Sequence, residues 1–234
     1  MRALMNPVIA QIKQSPVAVR TLPFFIFILL TAAQGWFGEG GRYWLYLLKS
    51  IVGGWLLWTF RRQISEMRWK VSVEAVVVGI AVFVVWIGLS PALRAMGIDP
   101  SWTVLKSKAT PWNPFNYFGH AVLAWFFVSV RIAGSSVVVP PLEEVFYRSF
   151  VYRYILKRDF LRVPLGQFDW TPFLMTSILF AFTHIEWLAG LLCGFAYQSL
   201  VCWKKRLGDA ITAHAITNFL LGGWVVYKNA WEFW

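Results

Sequence analysis

Apolar residues in this 234-residue chain come in long unbroken runs rather than alternating at the period of a strand or of a one-faced helix. Six stretches carry no Asp, Glu, Lys or Arg: Leu22–Gly38, Ala75–Leu93, Ala109–Val130, Trp170–Ile185, Trp187–Trp203 and Ala210–Tyr227. A helix needs about 20 mostly apolar residues to cross the hydrocarbon core, and in lipid only helices and closed barrels satisfy their own backbone groups. Barrel strands would alternate. The pattern therefore predicts an all-α, polytopic transmembrane bundle of about eight helices, near residues 22–37, 43–60, 71–95, 115–137, 141–158, 171–185, 187–203 and 208–228. Residues 1–21 form a basic N-terminal segment, and 22–228 form one domain. The double proline Pro140–Pro141 is expected to end one helix and start the next.

Composition agrees with this solvent. Hydrophobic residues make up 58% and charged residues 14%, against about 25% charged in soluble domains. Many of the 15 tryptophans, such as Trp36, Trp69, Trp170, Trp187 and Trp203, fall near the ends of runs, where an aromatic belt lies. The net charge of +11 does not point to nucleic acid, because the basic residues cluster between the apolar runs: Arg61, Arg62, Arg68 and Lys70, then Lys157, Arg158 and Arg162, then Lys204, Lys205 and Arg206. Loops beside membrane spans look like this, and such clusters meet anionic lipid head groups. Eight full crossings put eight Lys and Arg on one face and eleven on the other, which sets no orientation. If one element falls short of crossing, the helix starting at Pro140 is the candidate. The Gly97–Pro114 connection, rich in Pro, Ser, Thr and Trp, is expected at one interface. Cys193 and Cys202 form no disulfide or zinc pattern and read as buried small hydrophobes. No small-x-small cleavage site follows the first apolar stretch, so a retained span is expected there.

An ionisable side chain inside a membrane is expensive and marks a functional site by default. Those within the apolar runs are Lys49, Glu74, His120, Arg131, Glu143, Glu144, Arg148, His184 and His214. Lys49 and Glu74 are expected to snorkel or pair, His120 to be structural, and Arg131 to be structural or paired with a carboxylate. Glu143 and Glu144 suit the first turn of a helix, with Glu144 and Arg148 paired at i,i+4. Among apolar flanks, two adjacent carboxylates repel and resist ionisation unless a cation is close, which is the setting for a general base. His184 ends an apolar helix, and His214 and Asn218 share one face of another. Asp209 is placed to cap that last helix.

Taken together, Glu143-Glu144 with Arg148, Phe180 with His184, and His214 with Asn218 resemble the three ordered motifs of the CAAX protease and bacteriocin-processing enzyme family, also called CPBP or Abi. The resemblance covers about residues 137–222. It implies a bundle of about eight transmembrane helices with the site inside the membrane, and an endopeptidase acting on a membrane-associated protein or peptide. It includes the type II endopeptidase that trims prenylated CAAX proteins, and short members are common in bacterial plasma membranes. By the same resemblance, Glu143 activates a water, His184 helps hold it, Glu144 and Arg148 position the site, and His214 and Asn218 stabilise the oxyanion. Peptide hydrolysis needs a base, a donor to the leaving amine and an oxyanion hole, and these residue types supply them. Two mechanisms stay open: a cofactor-free glutamate mechanism, and a zinc site with Glu143, His184 and His214 as ligands. The zincin pattern His-Glu-x-x-His is absent. A non-catalytic scaffold or immunity protein of the same fold and a proton-coupled transporter are the alternatives, and the protease reading requires that Glu143, His184, His214 and Asn218 face one cavity.

Overall fold

The computed structural model describes residues 7–99 and 111–234, and every regular element among them is helical. Most of the Gly97–Pro114 connection, expected at an interface, lies outside the described residues. The elements are α1 (Pro7–Gln14), α2 (Pro16–Ala32), α3 (Gly38–Phe60), α4 (Val73–Ala95), α5 (Pro114–Phe118), α6 (Val122–Leu156), α7 (Trp170–Phe182), α8 (Trp187–Lys204) and α9 (Gly208–Lys228). Local chemistry sets several starts. Ser15, Ser72 and Asp169 accept the free N–H groups of Ala18, Ala75 and Thr171 at 3.2, 3.2 and 2.8 Å, and Pro16 and Pro114 sit at first helical positions. Helix α2 thus begins six residues before the charge-free run does.

Helices α2 and α3 pack as a hairpin that reverses at Gly38, whose φ of 69° favours glycine. Helix α4 lies against α9 so closely that a Cβ on Gly79 would sit 2.6 Å from the Ala213 carbonyl oxygen. Helices α7 and α8 form a second tight pair, with Gly194 against Ser177. Helix α6 runs through the middle and touches α2, α3, α7 and α9. Pro16–Phe60, Val73–Ala95, Val122–Leu156 and Gly208–Lys228 are long and apolar enough to cross a membrane. Their outward apolar side chains, among them Leu29, Ile51, Val77 and Val84, fit a lipid solvent. Helix α7 has 13 residues, or about 20 Å at 1.5 Å per residue, short of the roughly 30 Å core. The segment after Pro140 is part of the 35-residue helix α6 rather than a separate short element.

The double proline does not break α6. Gly134–Val138 and Val145–Val151 are π-helical turns within one continuous helix. In an α-helix, Pro140 and Pro141 would be asked for N–H groups they lack. The π turn instead sends the Val139 N–H back five residues to the Gly134 carbonyl. The sequence rule assumed α geometry, and a widened turn escapes it.

Several charges near the ends of the helices are buried. Glu66, on the α3–α4 connection, accepts from Arg20 at 2.8 and 3.0 Å, from Arg153 at 3.0 Å and from the Ser149 hydroxyl, which ties α2, this connection and α6 together. Burial pushes the Glu66 carboxyl up, but the Arg20 charge and the Ser149 hydrogen bond outweigh it, so the net shift is down. A folded pKa below the unfolded one gives stability that is complete above the ordinary glutamate value of about 4.3 and is lost as pH falls through the folded value. Thermal unfolding in detergent between pH 7 and pH 3 should show wild type losing its advantage over Glu66→Gln as acid is added; a constant gap would contradict this linkage. Asp209 does not cap α9. It lies in the first turn, fully buried, where Ser72 and Arg206 donate to its carboxylate.

Candidate active site

The centre of the bundle holds a cavity of about 630 Å³, and Glu143, His184, His214 and Asn218 all line it. They come from α6, the α7–α8 turn and α9. Glu144 and Arg148 do not line it. They stand behind it, with side chains 0% and 1% exposed and 3.3 Å apart from carboxylate oxygen to Nε. The adjacent glutamates thus face different surroundings although they are neighbours in sequence.

His214 sits between them. Its Nδ1 lies 3.0 Å from Glu144 Oε1, and its Nε2 lies 4.0 Å from Glu143 Oε2. An ionised carboxylate only accepts, so Nδ1 carries the proton and Nε2 faces Glu143. Tyr197 stacks on the ring at 5.1 Å and fixes its plane, while the Tyr197 hydroxyl donates to Thr217 at 2.8 Å. The buried Arg148 guanidinium lies over the Phe180 ring at 4.3 Å and makes no hydrogen bond, so the Glu144 ion pair and this ring balance its charge.

His184 is held differently. Its Nδ1 donates to the Phe180 carbonyl at 2.8 Å, which leaves Nε2 as an acceptor. Trp86 packs edge-on against the ring at 5.4 Å. Two residues on, Glu186 accepts from Ser90 and Arg94 of α4. Trp86, Ser90 and Arg94 recur every four residues, so one face of α4 anchors the turn carrying His184. No motif marked Glu186, and only its place beside the histidine in an apolar stretch could have raised it.

Asn218 has a role that sequence spacing did not show. Its Nδ2 donates to the Ser135 carbonyl at 2.8 Å. That carbonyl has no helical donor, because Val139 N–H has turned to Gly134 and Pro140 has none to give. Asn218 closes the gap left by the π turn and keeps a second amide hydrogen for the cavity. Asn218→Ala should lower unfolding stability by about 1–3 kcal/mol, measured by denaturation in detergent, and Asn218→Asp, which cannot donate, should not restore it. Wild-type stability in the alanine variant would refute this bond.

The remaining intramembrane charges divide. Glu74 pairs with Lys204 at 2.8 Å, and His120 packs against Phe115. Lys49 bonds to Thr31 at 2.9 Å. Arg131 meets no carboxylate among the described residues; aromatic rings surround it. Cys193 is buried and free, as expected of a small hydrophobe, and Cys202 is free and partly buried.

Residues 124–220 match the family described as Type II CAAX prenyl endopeptidase Rce1-like. The match spans less than half of the chain. It contains all six residues that converge on or behind the cavity, and the family implies a peptidase held in a membrane. No curated protein and no solved structure matches the chain. Among the described residues, no three His, Cys, Asp or Glu side chains gather as metal ligands. Glu143, His184 and His214 are not gathered as such a set, and in both histidines it is Nδ1 that an oxygen engages, which leaves Nε2 of each for the cavity.

Proposed function

We propose that this protein is an intramembrane endopeptidase that hydrolyses a peptide bond of a membrane-associated protein or peptide, with Glu143 as the base that activates water. The observation carrying this reading is that Glu143, His184, His214 and Asn218 line one cavity while Glu144 and Arg148 stand behind it. Glu143 Oε2 and His214 Nε2 are 4.0 Å apart, too far for a direct hydrogen bond, and Oε2 has no hydrogen-bond partner among the described residues.

Glu143 takes the proton from that water as its oxygen attacks the scissile carbonyl, and the unprotonated His184 Nε2 orients it. The proton then passes to the leaving amine. In its doubly protonated form, His214 presents Nε2–H to the oxyanion, with Glu144 balancing its charge; the second amide hydrogen of Asn218 faces the same space. No step uses a metal or other cofactor.

The test compares peptides released from membranes of cells carrying wild type, Glu143→Gln or His184→Ala. Products present with wild type and missing with both variants are expected. An identical set in all three would end the peptidase reading in favour of a scaffold or transporter of the same fold.

A further inference from the structure

The cavity extends well past Glu143, and its far wall is cationic. Arg42, Lys49 and Arg131 line it, and Glu143 supplies the one carboxylate side chain among the described lining residues. Lys49 is 4% exposed; its ammonium bonds to Thr31 and lies 4.6 Å from the Phe27 and Tyr46 ring centroids. The Arg131 guanidinium lies 4.6, 4.9 and 5.6 Å from the Tyr46, Trp112 and Trp234 rings. Neither has an ion-pair partner among the described residues. Rings orient a guanidinium and leave its N–H fork free, and two unneutralised cations inside a membrane bundle are costly unless an anion joins them.

Resting on the peptidase reading above, we propose that Lys49 and Arg131 form an anion subsite that takes a carboxylate carried by the bound peptide, either its C-terminus or an acidic side chain. Glu143 and Arg131 lie on one helix, twelve residues apart, or roughly 18 Å at 1.5 Å per residue. Helix α3 runs beside α6, with Ser50 against Gly134 and Gly53 against Val138 and Leu142. Lys49 therefore stands near the level of Gly134, about 13 Å from Glu143 by the same rise. An extended peptide covers about 3.3 Å per residue. The carboxylate thus falls about four or five residues from the bond that Glu143 addresses. The subsite fixes the peptide's register by a charge-assisted contact remote from the chemistry.

Binding is measured separately from cleavage with purified Glu143→Gln protein in phosphatidylcholine nanodiscs. The probes are one N-acylated, fluorescent nonapeptide in three forms: a neutral sequence with a free C-terminal acid, the same sequence as the amide, and the amide carrying one Asp. At least one anionic form should bind about ten- to a hundredfold more tightly than the neutral amide, and which one does so identifies the source of the carboxylate. Adding Arg131→Gln or Lys49→Met should remove the preference and leave the neutral amide's affinity unchanged; size-exclusion profiles show which variants are folded. Equal binding of all three peptides overturns the proposal, as does a preference that survives both variants. Equal peptide binding together with phosphatidylglycerol retention that Arg131→Gln abolishes assigns the cations to a lipid phosphate instead. Failure of wild type to hydrolyse any peptide overturns the peptidase reading, and the binding comparison still decides the subsite.

Discussion

Glu143→Gln should lower the rate of peptide release by about 10²–10⁴-fold, the usual worth of a general base, and leave the protein folded. The amide keeps the shape of the side chain but cannot take a proton from water. Little else depends on this carboxylate: His214 Nε2 at 4.0 Å is its one ion-pair contact among the described residues, and its side chain is 15% exposed. Unfolding in detergent should therefore shift by no more than a surface substitution does, about 0.5 kcal/mol. The rate comes from hydrolysis by purified protein in proteoliposomes, and fold from thermal unfolding of the same preparation. A variant that keeps more than a tenth of wild-type rate would show that another group activates the water.

The neighbouring substitution Glu144→Gln should do the reverse in stability. Glu144 is the counter-charge for Arg148, and both side chains are 1% exposed or less. Breaking a buried ion pair from one side typically costs about 3–5 kcal/mol, because the remaining charge stays buried without a partner. Glutamine still offers an oxygen to His214 Nδ1, so the loss reports the ion pair more than the histidine's hydrogen bond. Adding Arg148→Met should recover much of the stability, and the double-mutant cycle isolates the coupling. It should not recover activity, since His214 would remain without a charge behind it. A Glu144→Gln protein as stable as wild type would contradict the division of roles between the two glutamates.

That division was only partly legible in the sequence. The charge-free runs located most of the helices, because lipid forbids charge over the length of a crossing. The three polar motifs stood out for the same reason, and the cavity brings their ends together. What spacing could not show was which glutamate faces the cavity, since residues adjacent on a helix differ in direction and only the packed partner decides which is buried. The π turn at Gly134 was hidden because the rule for proline is a rule about α-helices. Its consequence, the Asn218 bond to Ser135, joins residues 83 positions apart. The Arg20–Glu66–Arg153 cluster carried no sequence signal, because the three residues are far apart along the chain and only the tertiary fold brings them together. Arg131 was expected to be structural or to pair with a carboxylate; among the described residues it meets three rings and no carboxylate, an arrangement set by aromatic residues distant in sequence.

The central claim is that Glu143 activates water for peptide hydrolysis in this cavity. It is tested most directly by incubating purified wild type and Glu143→Gln, in proteoliposomes with a strict chelator and H₂¹⁸O, with a peptide that wild-type membranes cleave. Wild type should release a product whose new carboxylate carries one ¹⁸O, and Glu143→Gln should release none above background. Labelled product at the same rate from both proteins would contradict the account.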